Sequence, residues 1–177
     1  TRSSLLSAAR DAGFDRAGMI EDGAPARAIL ACALSCVRAE PDDLSQPGDP
    51  HALIAPFARR NFYAAAVAMM QGLLRRVGAR EGFPPRHARI LVNSRVPEKP
   101  LAVAAAVGAY GKNSLVIVPG LGSMVVIAAC ILPLAVEGGR AAGESPVPVD
   151  GRAGFPHCGS CTRCIDACPV GAIVEPG

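Results

Sequence analysis

The stretch Ala28-Ile-Leu-Ala-Cys-Ala-Leu-Ser-Cys-Val37 is a continuous apolar run with the length of a β-strand. Successive side chains of a strand point to opposite faces of the sheet, so a run that is apolar at every position is typical of a sheet covered on both faces. The run therefore predicts a strand of such a sheet, in an α/β (α+β) domain with flanking helices.

Helical and extended patterns alternate on both sides of this run. The best helix is predicted over residues 61–77, where apolar side chains recur at helical spacing. Shorter helices are predicted at 3–12 and 101–107, strands at 14–20 and 88–92, a loop at 39–50, and a hairpin formed by residues 115–118 and 124–132. Together these elements predict one domain over residues 1–136 with a mixed sheet.

Composition and charge exclude several classes of protein. The 177 residues carry 18 Lys+Arg and 15 Asp+Glu, and 50% are hydrophobic, which excludes a disordered or polybasic chain. Aromatic residues make up 4%, too few for a nucleic-acid platform of stacked rings. No secretory leader is recognisable, and prolines 119 and 133 interrupt the longest apolar run, residues 114–136. We therefore expect a cytoplasmic protein with no membrane contact.

The last fifth of the chain has a different composition. Residues 137–155 are rich in glycine and proline, which predicts a linker. It is followed by Cys158-Gly-Ser-Cys161-Thr-Arg-Cys164-Ile-Asp-Ala-Cys168-Pro169, the C-x2-C-x2-C-x3-C-P spacing of bacterial ferredoxins. The spacing predicts a 4Fe–4S module over residues 156–177, in which the first three cysteines bind one cluster and Cys168 another. Zinc is the alternative, but structural zinc sites usually pair two C-x2-C knuckles across a longer gap.

The cysteine count limits this module. Two clusters bound only by cysteine need eight thiolates, and the chain has seven. Either the chain continues with a second motif, which we favour, or a partner supplies ligands, or Cys32, Cys36 or Cys130 folds back onto the module. Because these three lie in apolar runs, we expect them to be buried packing residues.

Three blocks of sequence, in order, resemble the epoxyqueuosine reductase family. The first block, Phe57-Ala-Arg-Arg-Asn-Phe-Tyr63, is similar to Y-A-x-G-x-D-Y-H. The second is the pair Glu98-Lys-Pro-Leu101 and Gly108-Ala-Tyr-Gly-Lys-Asn-Ser-Leu115, which is similar to E-R-P-L and G-x-x-G-K-x-S-L. The third is the cysteine motif. Members are cobalamin-dependent enzymes of queuosine-tRNA biosynthesis with two 4Fe–4S clusters, related to reductive dehalogenases. The departures noted below favour a divergent paralogue.

The resemblance implies a function and a site. It implies an iron–sulfur oxidoreductase whose nitroreductase-like lobe binds a cobalamin, with tRNA as substrate and a reductase, flavodoxin or ferredoxin as electron donor. The residues implied to line the corrinoid or substrate pocket are Tyr63, Asn93, Gly108, Gly111, Lys112, Asn113 and Ser114. Without the resemblance, the glycine-containing block would be interpreted as an ordinary turn.

One departure from the family pattern concerns chemistry. The family's proposed proton donor is an Asp in a V-D-S-A-P segment, which is matched here by Val92-Asn93-Ser94-Arg95-Val96-Pro97. An amide does not titrate, so Asn93 could position a substrate but not deliver a proton as a carboxylic acid would. The Asp and His of another family block are replaced by Asn61 and Tyr63.

Positive charge is concentrated between residues 75 and 99. This segment has a local charge of +5, from the basic residues Arg75, Arg76, Arg80, Arg86, Arg89, Arg95 and Lys99 and the acidic residues Glu81 and Glu98. Such a patch could bind the tRNA backbone, although a solvated helix end and loop would carry the same charges. Histidines 51 and 87 are expected at the surface, and His157 beside the first cluster cysteine.

Two other functions compete with a reductase. The first is a non-catalytic 4Fe–4S electron-transfer or corrinoid-binding protein that works with a partner chain. The second is a zinc-stabilised RNA-binding module. Metal and corrinoid content distinguish the three.

Overall fold

The computed structural model describes residues 1–21, 26–37, 46, 48, 52, 54–136, 140–141 and 158–174. Its helices are α1 (Arg2–Asp11), α2 (Phe62–Glu81), α3 (Glu98–Ala104) and α4 (Arg163–Asp166), with 3-10 turns at Pro56–Ala58 and Pro85–His87. Its strands are β1 (Arg16–Glu21), β2 (Ala28–Ser35), β3 (Arg89–Leu91), β4 (Ala109–Tyr110), β5 (Val116–Ile117), β6 (Val125–Leu132) and β7 (Arg140–Ala141).

The apolar run that begins at Ala28 forms the central strand of a five-stranded sheet of order β3-β6-β2-β1-β7. All eight residues of β2 are buried. Strand β2 is antiparallel to both neighbours, β3 is antiparallel to β6, and β7 lies parallel to β1. The predicted mixed sheet is therefore confirmed, with β2 as its central strand.

The two faces of β2 belong to two different cores. Leu30, Cys32 and Leu34 pack with residues of α1 and α2 on one face. Ile29, Ala31 and Ala33 pack with α3 and with the β4–β5 hairpin on the other. Because both faces are withdrawn from water, the strand is apolar at every position except its last residue, Ser35.

Helix α2 agrees with the predicted helix and extends it to Glu81. It begins after Asn61, whose Oδ1 accepts a hydrogen bond from the Ala64 N–H at 2.9 Å, and it ends at Gly82. Helix α3 begins at Glu98, three residues before the predicted start. Pro100 is tolerated there because the first N–H groups of a helix have no intrahelical acceptor, so the missing N–H of proline costs little.

The predicted hairpin of residues 115–118 with 124–132 is wrong. Strand β5 pairs instead with β4, and β6 lies in the main sheet between β2 and β3. An isolated bridge joins Val118 to Gly122, which precedes the second segment. The physical reason is packing: β6 contributes to both cores and needs a strand on each side, whereas the shorter β5 covers the α3 side of the sheet.

Helix α3 ends in a left-handed residue that is not glycine. The N–H of Val107 donates to the Ala102 carbonyl and that of Ala106 to the Val103 carbonyl, at 2.9 and 3.0 Å, which is a Schellman arrangement. Ala106 has φ of 56° and is exposed. An alanine there carries the steric cost of its Cβ in the left-handed region.

We therefore expect Ala106→Gly to stabilise the domain by about 1 kcal/mol, because glycine adopts this conformation without strain. The midpoint of urea unfolding measures this change. Ala104→Gly, in the last turn of the same helix, is the control and should lower the midpoint. An unchanged or lower midpoint for Ala106→Gly would contradict the strain argument.

Several predictions fall on residues that are not described. Within the predicted linker, Arg140–Ala141 pair with β1, and its other residues lie outside the described part of the chain. The predicted loop 39–50 is described only at residues 46 and 48, and histidines 51 and 157 not at all. Among the described residues, no helix has the length and apolarity needed to cross a bilayer.

Candidate cofactor and substrate site

Several of the predicted site residues lie at one end of the sheet. Strand β3 runs antiparallel to β6, with Leu91 opposite Ala129, so residues 92–97 continue toward the beginning of β6. A connection of seven residues joins the end of α2 to the start of β3, so α2 begins at the end of the sheet where β3 stops. Helix α3 starts there as well. This site end, as we call it, is defined by the start of α2, residues 92–97 and the start of α3.

Asn93 follows β3 and is exposed in a left-handed conformation with φ of 48°. Asparagine and aspartate adopt this region more readily than other non-glycine residues. The backbone at this position therefore suits the Asn found here and the Asp of the family pattern equally well. The difference between them is chemical, because only the carboxylic acid can donate a proton and recover it.

The loop that carries Asn93 is organised by two side chains. The N–H of Ser94 donates to Oε1 of Glu98 at 2.8 Å. The Ser94 hydroxyl donates to the Val96 carbonyl at 3.0 Å and accepts from the Val96 N–H at 3.2 Å. These bonds close the loop onto the first turn of α3.

The glycine-containing block is the turn between β4 and β5. The Gly111 N–H donates to the Leu115 carbonyl and the Ser114 N–H to the Gly111 carbonyl, both at 2.8 Å. Asn113 Oδ1 accepts from the Leu115 N–H at 3.2 Å, and the Ser114 hydroxyl donates to the Asn113 carbonyl at 2.7 Å. The block is therefore a tight turn in its own right, while Lys112 is half-buried within it.

Gly108 has a packing role that the sequence did not show. A Cβ at this position would lie 2.6 Å from the Ile117 carbonyl oxygen and 2.8 Å from Val116 Cγ1. The absence of a side chain allows β4 to approach β5, and this accounts for the glycine without any ligand. Gly108 precedes β4 and is accounted for by this packing, and the role of the β4–β5 turn in cofactor binding stays a prediction.

Tyr63 lies in the first turn of α2 and is 50% exposed. Helix α2 covers the face of the sheet opposite to α3 and the β4–β5 hairpin. Tyr63 and the turn thus share the site end but lie in different layers. Next to Tyr63, the Arg60 guanidinium carbon lies 5.1 Å from the centroid of the Phe62 ring.

The cysteine motif forms a short turn followed by one turn of helix. The Cys161 N–H donates to the Cys158 carbonyl at 2.8 Å, and α4 begins at Arg163. Cys161 is exposed, and Cys158, Cys164 and Cys168 are partly exposed. All four thiols are therefore accessible to an incoming metal.

Cys168 differs from the others in its hydrogen bonds. Its Sγ accepts from the Ala172 N–H at 3.2 Å. Backbone N–H groups, first that of Ile173 and then those of Val170 and Ala172, lower the pKa of the Cys168 thiol because they stabilise its thiolate. Thiolate is the form that binds iron, so the chemistry of this donor fits the predicted role.

The arrangement of the four thiols is a separate question from their chemistry. Within the described parts of the chain, no three His, Cys, Asp or Glu side chains converge into a group that could hold a metal ion. Spacing, accessibility and the hydrogen bonds to Cys168 fit a cluster-binding loop, while the ligand set remains a prediction.

The other three cysteines are buried in the α1–α2 core, as expected. Burial raises the pKa of Cys130 to about 12. Burial, and then the neighbouring Cys130, raise the pKa of Cys32 well above its usual range. Because both thiols are enclosed in the core, their burial argues against the alternative in which they fold back as cluster ligands.

The basic segment is divided between the two ends of the sheet. All seven of its basic side chains are exposed. Five of them, Arg75, Arg76, Arg80, Arg86 and Arg89, surround the end of α2 and the start of β3, and only Arg95 and Lys99 lie at the site end. Arg80 Nε forms an exposed ion pair with Glu81 at 2.8 Å. His87 is exposed, as predicted.

Two residues in this region carry contacts that sequence reasoning missed. The sequence placed Glu98 and Lys99 in the Glu98–Leu101 motif and in the charged segment, but it did not predict that Glu98 accepts from Ser94 or that Lys99 Nζ donates to the Ser114 carbonyl at 3.1 Å. Their position directly after the Asn93 loop was the available signal. The turn that Lys99 contacts becomes a neighbour only through folding.

No protein-family model matches the chain. Similar curated proteins are epoxyqueuosine reductases: that of Xanthomonas campestris is 36% identical over 118 residues, 66% of this chain and 29% of the relative. That of Synechocystis is 28% identical over 154 residues, 85% of this chain and 47% of the relative. The chain thus spans less than half of the length of these relatives.

Solved structures agree in architecture. Epoxyqueuosine reductase from Streptococcus thermophilus superposes with a TM-score of 0.76 at 18% identity, over 98% of this chain and 54% of that one. An epoxyqueuosine reductase with an epoxyqueuosine-modified tRNA-Tyr stem loop superposes with a TM-score of 0.69 at 22% identity, over 99% and 53%. The shared fold and the curated relatives confirm the family resemblance predicted from the sequence.

Proposed function

We propose that this chain, which is related to the epoxyqueuosine reductases in sequence and in fold, is an iron–sulfur oxidoreductase that acts on epoxyqueuosine in tRNA or on a related substrate. The observation that supports this most is the C-x2-C-x2-C-x3-C-P segment, whose thiols are accessible and whose last sulfur accepts a backbone hydrogen bond. A cytoplasmic location follows from such a substrate.

The proposal gives the residues separate roles. Cys158, Cys161 and Cys164 would hold one 4Fe–4S cluster, and Cys168 would be a ligand to a second. Bound clusters supply single electrons, and a bound cobalamin supplies the metal that receives them. The segment from Gly108 to Ser114, together with Tyr63, would bind and orient the corrinoid at the site end, and Asn93 would position the substrate.

Oxygen-free purification tests this proposal. We expect brown protein with iron and inorganic sulfide, retention of added cobalamin, and reduction of an epoxyqueuosine-modified stem loop when a chemical reductant is supplied. Protein without iron and sulfide would overturn it. A colourless zinc protein would instead indicate the zinc-stabilised RNA-binding module.

The second candidate is a non-catalytic electron-transfer or corrinoid-binding protein that serves a partner chain. Asn93 favours it, since this side chain stands where the family pattern has its proton donor and cannot take that role. Brown protein that retains cobalamin but does not turn over the stem loop would support this candidate. Its electron source would be the same reductase, flavodoxin or ferredoxin class.

Asn93→Asp is expected to raise the rate of epoxyqueuosine reduction about a hundredfold in corrinoid-loaded protein, as general acid catalysis typically contributes. The left-handed backbone at this position accepts aspartate, so the change introduces an acid with little strain. Turnover under a chemical reductant measures it.

Asn93→Gly is the matched control, because it preserves the backbone conformation without supplying an acid. It should not raise the rate. A folded, corrinoid-loaded Asn93→Asp variant with unchanged turnover would contradict the assignment of this position as the proton-donor site.

The proposed RNA contact is constrained by the division of the basic segment. Arg95 in the Asn93 loop and Lys99 directly after that loop would contact a modified nucleotide bound there. The five arginines around the end of α2 lie at the opposite end of the sheet. These five would bind a more distant part of the RNA backbone, through charge rather than base recognition.

A further inference from the structure

We propose that Glu98 and Lys99 are positioning residues that fix two separate loops of the site end against the first turn of α3. Glu98 holds the loop that carries Asn93, and Lys99 holds the turn between β4 and β5. The identity of the ligands rests on the proposed function, whereas the fixing of the two loops rests on the hydrogen bonds alone.

The Glu98 contact fixes the backbone directly after Asn93. Its Oε1 accepts from the Ser94 N–H at 2.8 Å, and the Ser94 hydroxyl closes the same loop onto Val96. Because Asn93 is left-handed, its side-chain direction depends on how the following residue is held. Loss of the Glu98 acceptor would make Ser94 more mobile, and the Asn93 side chain would then no longer be held in one direction.

The Lys99 contact joins segments that are fifteen residues apart. Lys99 Nζ donates to the Ser114 carbonyl at 3.1 Å. Ser114 is itself left-handed with φ of 59°, and its carbonyl lies at the exposed end of the turn. A charged donor at this carbonyl holds the turn beside α3, and through α3 beside the Asn93 loop.

The two contacts have a common rigid support. Ala102 and Val103 of α3 are buried in the core on this side of the sheet. Gly18 of β1 lacks a Cβ where the Ala105 backbone approaches it closely. Helix α3 is therefore packed firmly against the sheet. Its consecutive residues Glu98 and Lys99 contact two different loops from this fixed position.

The experiment measures the two contacts separately by amide hydrogen exchange. We expect Glu98→Ala to speed exchange at the Ser94 N–H about tenfold, the scale of one charge-assisted hydrogen bond, and to leave Ser114 and Leu115 unchanged. Lys99→Met should speed exchange at Ser114 and Leu115 and leave Ser94 unchanged. Glu98→Gln and Lys99→Arg preserve an acceptor and a donor and should restore most of the protection.

Ligand measurements on the same variants test positioning. Lys99→Met should weaken cobalamin binding about tenfold, whereas Glu98→Ala should lower turnover with cobalamin affinity unchanged. Loosening of both loops by either variant, loosening of neither, or failure of the conservative variants to restore protection would overturn the proposal. If wild-type protein retains no cobalamin, the proposed function is wrong. The pattern of amide hydrogen exchange then tests by itself whether Glu98 and Lys99 fix the two loops.

Discussion

Gly18→Ala is expected to destabilise the folded domain by about 3 kcal/mol, at the upper end of what overpacking costs. A Cβ on Gly18 would overlap the Ala105 carbonyl oxygen and crowd the Ala105 carbonyl carbon at 2.9 Å. Both of these atoms are backbone atoms of Ala105, the residue that follows α3. Backbone atoms cannot rotate away as the end of a flexible side chain can, so α3 would have to move away from the sheet.

The control for Gly18→Ala is the same substitution at Gly72. A Cβ there would meet only the ends of two arginine side chains, at 3.7 and 3.9 Å, in the middle of α2. Gly72→Ala should therefore stabilise the domain by about 1 kcal/mol, the difference in helix propensity. Urea unfolding of both variants measures the contrast, and equal midpoints would show that the close approach of β1 to α3 is incorrect.

The movement of α3 has a functional consequence. Glu98 and Lys99 are in the first turn of this helix and contact the two loops of the site end. A Gly18→Ala protein that still folds should therefore bind cobalamin more weakly than wild type under the proposed function. Gly72→Ala should bind it normally.

Substitution of single cysteines is expected to divide them into two groups. Cys161→Ala or Cys164→Ala should abolish one cluster and lower the iron content of reconstituted protein by about half or more, because each cluster needs all of its thiolates. Cys32→Ala or Cys130→Ala should leave iron content unchanged, because both residues are buried in the core. Iron and sulfide analysis after oxygen-free reconstitution measures the division.

Thiol labelling of the metal-free protein is an independent check. Cys158, Cys161, Cys164 and Cys168 are at least partly exposed and should react in the folded state, whereas Cys32 and Cys130 should react only after unfolding. Loss of iron in the Cys130→Ala variant, with the fold intact, would show that the buried cysteines take part in cluster binding. That result would revive the alternative in which a core cysteine completes a cluster.

Local patterns were sufficient for much of the fold. The apolar run of β2 predicted a strand covered on both faces, and α2 was predicted from the helical spacing of apolar residues over 61–77. Both signals arise from residues within one element, which is why they can be found without the fold. The hairpin error has the opposite origin: β5 and β6 are adjacent in sequence, but their partners are decided by distant strands.

The candidate site likewise divides into features that the sequence predicted and features that only the fold determined. Family likeness, the ferredoxin cysteine spacing and the amide at position 93 were all determined by the sequence itself, because each depends on residue type and short separations. Only the tertiary structure decided that Gly108 is a packing glycine, that Tyr63 and the β4–β5 turn lie in different layers, and that the basic segment is divided between two ends. Those facts depend on which elements pack together, and packing is a property of the whole chain rather than of any segment.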